Sequence, residues 1–135
     1  MSTRCQILIK GFTPNLYRHS DGYPDSECGV LATLIPFLTE FMKGHGDDPS
    51  YMLARLAQAQ TNTVDKDLED PIHDRGGREL MRFLGYGIDI GLHADLAYIY
   101  QIDTKKRVVN VLKTKDNFWD APKLSNAKRV QVVPF

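Results

Sequence analysis

The chain has 135 residues, 42% apolar and 25% charged, a balance that fits one soluble domain around a single core. Net charge is zero but unevenly spread: residues 1–103 carry 9 Lys and Arg against 15 Asp and Glu, and residues 104–135 carry 8 against 2. No apolar run approaches the roughly 18 residues of a membrane span, and Met1–Cys5 lacks the basic-then-apolar layout of a secretory signal, so a cytoplasmic protein with no membrane partner is expected.

Thr3 to Lys10 alternates, with Cys5, Ile7 and Ile9 on one side and Arg4, Gln6, Leu8 and Lys10 on the other. A period of two reads as a strand with one buried face. The Gly11–Asn15 stretch supplies turn residues, and Leu16 to His19 reads as a second strand in a hairpin with the first. Tyr17 and His19 then share one face, and Leu16 and Arg18 the other. The Asp21-Gly22 pair turns the chain, with Gly22 expected at positive φ, and Asp25 or Ser26 is expected to cap a helix start near Pro24.

The helix that follows carries Val30, Leu31, Leu34, Ile35, Leu38, Phe41 and Met42 at helical spacing and ends at Gly44. Pro36 inside it is expected to kink or split it. Asp47-Asp48-Pro49 starts a second helix, read over Tyr51–Gln60. Thr61 to Gly77 is polar and broken by Pro71 and a glycine pair, which predicts a mobile loop. Arg78–Leu84 reads as a short third helix.

The remaining elements are strands: Tyr86–Ile90, then Leu96–Asp103, apolar on both faces and hence central, then Arg107–Lys113 after a short hairpin loop, and Lys128–Phe135 as an edge. The order β-β-α-α-α-β-β-β-β predicts one α+β domain over residues 1–135. Its expected form is an antiparallel sheet of five to six strands with the helices packed on one face.

Candidate chemistry concentrates at Tyr17-Arg18-His19-Ser20-Asp21-Gly22-Tyr23-Pro24, a strand-to-helix pivot. Part of it is explained by turning the chain. The rest reads as a polar pocket of Arg4, His19, Asp21 and Tyr23 that binds a ligand, in which Arg4, Arg18 and His19 meet negative charge and Tyr23 stacks. Tyr98 and Tyr100 point the same way on the central strand and can form a stacking platform on an open sheet face, or an aromatic layer under the Trp119 loop. Lys105, Lys106, Arg107, Lys128 and Arg129 make the C-terminal third a candidate for nucleic acid backbone.

Three histidines occur as His-x-Asp, at His19, His45 and His93, and His73 precedes Asp74 directly. No pair has the spacing of a helical zinc site, and if any metal is held, His19 and Asp21 are its candidates. The sequence contains no nucleophile elbow and no glycine-rich phosphate loop. Gly76-Gly77 is the nearest approach to an anion cradle. Cys5 and Cys28 are too few and too far apart for a disulfide framework and read as reduced, buried thiols. No cofactor is expected.

At Ser2-Thr3-Arg4, at the pivot and at Tyr98-x-Tyr100-x-Ile102-Asp103, the chain resembles a family of small uncharacterised proteins from bacteria and their phages. Those begin Gly/Ser-Thr-Arg, carry Tyr-x-His-Trp-Asp-Gly-Tyr-Pro before a helix, and close with a tyrosine-rich strand and a short hairpin. Here Ser20 stands in place of the Trp, and Asp25–Gly29 replaces a shorter Glu-Gly-x-Gly. The resemblance implies a phage or prophage context. Small proteins of that context often counter host defence by binding a host protein or sequestering a nucleotide signal.

The reading these observations favour is a non-enzymatic binding protein for a small anionic, nucleotide-like ligand or a host protein. The alternatives are a metal-assisted phosphodiesterase using His19 and Asp21, and a structural component that forms homo-oligomers.

Overall fold

The computed structural model describes residues 3–25, 29–66 and 86–135, the side chains of 60–66 excepted. Within them the order is β1 (Cys5–Ile9), β2 (Asn15–Arg18), α1 (Val30–Gly44), α2 (Pro49–Lys66), β3 (Tyr86–Asp89), β4 (Tyr98–Asp103), β5 (Val108–Thr114) and β6 (Ala127–Pro134). The strands form one six-stranded sheet in the order β3-β2-β1-β4-β5-β6.

The alternation in β1 holds. Cys5, Ile7 and Ile9 lie in the main core with Leu16, Tyr100, Ile102, Val109 and Val111, against Val30, Leu34, Leu38 and Phe41 of α1 and Met52, Leu53 and Leu56 of α2. Both helices therefore cover one face. The other face has a smaller cluster of Leu96, Ile99 and Phe118, with Leu8, Tyr17, Leu92 and Leu112 packed on it.

The sheet is mixed, which corrects the antiparallel expectation. β1 pairs antiparallel with β2 but parallel with β4, with Ile7 beside Tyr100. The reason lies in the connection: β3 lies on the far edge, paired with β2, so the chain must recross β2 and β1 to reach β4. It does so on the face opposite the helices, where the Gly91 carbonyl, the His93 amide and Leu92 meet side chains of β1 and β2. The central position of β4 and the edge position of β6 match the expectation.

Two helix readings change at their ends. α1 is one continuous helix despite Pro36, and its N-cap is Gly29, without a side-chain cap. Its first amide, that of Val30, is taken by the Tyr23 carbonyl at 2.9 Å, so the preceding turn does the capping that Asp25 was expected to do. α2 starts where expected, with Asp48 Oδ1 accepting the Tyr51 N–H at 3.2 Å, but runs on to Lys66. The remainder of the expected loop, the third helix, Gly76-Gly77, the His73-Asp74 pair, Ser26 and Cys28 lie outside the described residues. Among the described residues no helix is long and apolar enough to cross a membrane.

Candidate functional site

The pivot is built against the start of β1. Asp21, not Gly22, takes the left-handed conformation, with φ 54°, a geometry that Asp tolerates better than most residues. Gly22 is required for a different reason. A Cβ there would stand 2.8 Å from the Thr3 carbonyl oxygen and 2.9 Å from Cys5 Cβ. Its amide donates to the Thr3 carbonyl at 2.9 Å, and its carbonyl accepts the buried Tyr100 hydroxyl at 2.6 Å.

The sheet divides the residues expected to form one pocket. Arg18 is buried on the helix-covered side, its Nε donating to the Ser20 carbonyl at 2.9 Å and its guanidinium 5.9 Å from the Tyr86 ring. Tyr98 and Tyr100 belong to the same side, packed into the main core. They form an aromatic layer under the helices, not a platform on an open face. The residue buried in the loop over the opposite face is Phe118, while Trp119 is exposed. Asp21 and Tyr23 stay in the turn, with the Tyr23 hydroxyl donating to Asp21 Oδ1 at 3.2 Å.

Arg4 and His19 come together on the opposite face, around Tyr17. The Tyr17 hydroxyl lies 3.1 Å from His19 Nδ1. The Tyr17 ring stacks on His93, with centroids 4.3 Å apart and planes 12° from parallel. His93 Nε2 is hydrogen-bonded to Asp89 Oδ2 at 2.5 Å. Its sequence neighbour Asp95 instead pairs with Arg4, Nε to Oδ2, at 3.2 Å. Burial first, then the Asp95 charge, pushes the Tyr17 phenol up, so it stays protonated near neutral pH.

His93 is held by more than Asp89. Its backbone N–H donates to Gln6 Oε1 at 2.8 Å, and Gln6 Nε2 donates to the Gly91 carbonyl at 2.8 Å and to Asn15 Oδ1. Gln6 and Asn15 are both buried. Buried amides are tolerated only when hydrogen-bonded. Here they supply the partners that the crossover backbone loses by lying on the sheet. The outcome is an imidazole fixed by a carboxylate, an aromatic face and its own backbone, the setting of an acid–base group. Sequence reasoning missed it because the partner is Asp89, four residues before His93, and the stacking Tyr17 is remote in sequence. The glycine turn at Gly91 between Asp89 and His93 was the available signal.

This cluster has little positive charge to offer. Arg4 pairs with Asp95, and the second carboxylate of the cluster, Asp89, is paired with His93. His19 and Asp21 each engage a different tyrosine. Among the described residues no group of three or more His, Cys, Asp or Glu is placed to hold a metal ion.

Positive charge gathers at the other end of β1. There the Ile9–Phe12 turn, with Gly11 at φ 85°, meets the β4–β5 hairpin loop across a cavity of about 300 Å³. The cavity is lined by Lys10, Gly11, Asp103, Thr104, Lys105 and Lys106. Asp103 is buried. Its Oδ1 accepts the Lys106 backbone N–H at 3.0 Å, and its Oδ2 lies 3.5 Å from Lys10 Nζ. The Lys106 amide, helped by the Lys10 ammonium, holds the Asp103 carboxyl below the usual range against the effect of its burial. Asp103 thus braces the loop and Lys10. Among the described residues neither Lys105 nor Lys106 forms an ion pair with a carboxylate. Three ammonium groups against one carboxylate leave an excess of positive charge at the carboxyl ends of the two parallel strands, a common place for ligands in mixed and parallel sheets.

A second groove, of about 310 Å³ between α1 and α2, is lined by Phe37, Phe41, His45, Glu40 and Arg55. Its guanidinium is occupied: Arg55 stacks over the Tyr51 ring at 4.9 Å and is hydrogen-bonded to its hydroxyl. The chain matches no family model, no curated protein and no solved structure.

Proposed function

We propose that the protein binds a small phosphate-bearing anion, nucleotide-like in class, without turning it over, and that the ligand sits in the cavity of Lys10, Lys105 and Lys106. The observation that carries this reading is the cavity itself: about 300 Å³, lined by three lysines and one carboxylate, the lower end of the range for small-ligand sites, at the carboxyl ends of parallel strands. The resemblance of the pivot to a bacterial and phage family supports a phage or prophage origin. There, capture of a nucleotide signal would blunt host defence. A thermal-shift panel of phosphate, pyrophosphate and nucleotides tests the reading, because a ligand that binds only the folded state raises its stability. Stabilisation by pyrophosphate or nucleotides, lost in Lys105→Ala/Lys106→Ala, is the expected result. No stabilisation by any of them contradicts it.

A second reading is favoured by one specific observation, the Asp89–His93 pair stacked on Tyr17. It makes the outer face an acid–base site acting on phosphate esters without the His19–Asp21 metal pair. Hydrolysis of bis(p-nitrophenyl) phosphate that is abolished in both His93→Ala and Asp89→Asn would favour it over pure binding.

A further inference from the structure

The stretch from Lys113 to Arg129 carries five cations, Lys113, Lys115, Lys123, Lys128 and Arg129, against two carboxylates, Asp116 and Asp120. All five cations are exposed, and among the described residues none is ion-paired. Between them in sequence stands Trp119, the sole tryptophan of the chain, 66% exposed. Leu124, Val130 and Val132 are exposed as well.

The loop that presents Trp119 is well tied. Lys115 N–H donates to the Asn126 carbonyl at 2.9 Å and closes the base of the loop where β5 ends and β6 begins. Asn126 then reaches inside, donating through Nδ2 to the Ala121 carbonyl at 2.8 Å and accepting from Asn117 Nδ2 at 3.1 Å. Phe118 inserts into the small cluster with Leu96 and Ile99. Its burial anchors the loop from below while the next residue stands in solvent. An indole held outward on a fixed loop among unpaired cations meets the two needs of single-stranded nucleic acid: a face for a base and ammonium groups for the backbone.

We propose that this loop and the start of β6 form a contact surface for single-stranded nucleic acid, with Trp119 stacking on a base and Lys115, Lys123 and Arg129 meeting phosphates, Arg129 lying beside Leu112 on the sheet face that the loop covers. The surface is separate from the lysine cavity. The two lie at opposite ends of β5, whose seven residues span about 23 Å at roughly 3.3 Å per residue. A duplex fits the surface less well, because its bases are already stacked and present no free face to the indole.

The sole tryptophan makes the test direct. A deoxythymidine oligomer of about ten nucleotides is titrated into the full chain at low salt while Trp119 emission is followed. The expected result is saturable quenching. In Lys115→Ala/Lys123→Ala the affinity falls by at least about tenfold, and the slope of log affinity against log salt becomes shallower by about 1.4. Trp119→Ala, followed by anisotropy of labelled oligomer, loses about tenfold. Lys105→Ala/Lys106→Ala leaves the quenching unchanged, which separates this surface from the cavity. Absence of quenching overturns the proposal, as does equal affinity for a duplex of the same length. So does quenching that tracks self-association in light scattering, which would assign the patch to a second copy of the chain.

Discussion

Replacing Gly22 with alanine puts a methyl group where β1 already stands. The new Cβ would lie 2.8 Å from the Thr3 carbonyl oxygen, 2.9 Å from Cys5 Cβ and 3.0 Å from Cys5 N, where about 3.5–4.0 Å is comfortable. The obstacles include backbone of a strand paired on both sides, so they cannot rotate away, and the pivot must move outward. That movement stretches the Gly22 amide bond to Thr3 and the Tyr100 hydroxyl bond to the Gly22 carbonyl. Overpacking costs about 1–3 kcal/mol, and a buried hydroxyl deprived of its acceptor about 1–3 kcal/mol. Reduced freedom of the unfolded chain offsets about 0.4–1 kcal/mol. The net expectation is a loss of about 2–4 kcal/mol, or about 10 °C in Tm. Urea denaturation followed by circular dichroism measures it, with Gly44→Ala as the control, since nothing lies within 4 Å of a Cβ at Gly44. A Gly22→Ala chain within about 0.5 kcal/mol of the parent would refute the packing of the pivot on β1.

Alkaline pH offers a second check. Burial pushes the Cys5 thiol from 9.0 up to about 12, and burial likewise raises the Tyr100 phenol. The unfolded thiol ionises above pH 9 while the folded one keeps its proton, so this stabilisation is complete below pH 9 and is lost as pH rises toward 12. The loss is at most about 1.4 kcal/mol per pH unit per group, and Cys5→Ala should flatten the first part of that decline in a pH series of urea melts. Pro36→Ala should stabilise the chain by about 1–3 kcal/mol, because it restores an amide donor inside a helix that is already continuous. Gln6→Ala removes partners from the His93 amide, the Gly91 carbonyl and Asn15. It should cost about 2–4 kcal/mol and relieve the ring-current shift between Tyr17 and His93, visible by proton NMR.

The parts of the fold that were legible are those set by local periodicity. The alternation of Cys5, Ile7 and Ile9, the stripe of α1 and the Asp48-Pro49 start of α2 each state their own environment. The sharing of one face by Tyr17 and His19 followed from the same rule. Strand order did not follow, because nothing local in β4 distinguishes pairing with β5 alone from pairing with β1 as well. The division of the pivot was half visible. Arg18 was correctly set on the face opposite His19, and yet both were expected in one pocket, a conflict that the pleat alone decides. Gln6 and Asn15 read as ordinary polar positions, since their partners, Gly91 and His93, arrive only through the crossover. Lys10 and Asp103 meet for a similar reason: parallel pairing of β1 with β4 brings together a turn and a hairpin loop more than ninety residues apart.

In the proposed site, phosphate enters between Lys10, Lys105 and Lys106. Amide chemical-shift mapping during a pyrophosphate titration tests it most directly. Binding there gives saturable shifts confined to Lys10, Gly11 and residues 103–106, abolished in Lys105→Ala/Lys106→Ala and unaffected by His19→Ala. Shifts centred on Arg4, His19 and His93 would return the ligand to the pivot and contradict it, as would no shifts at all.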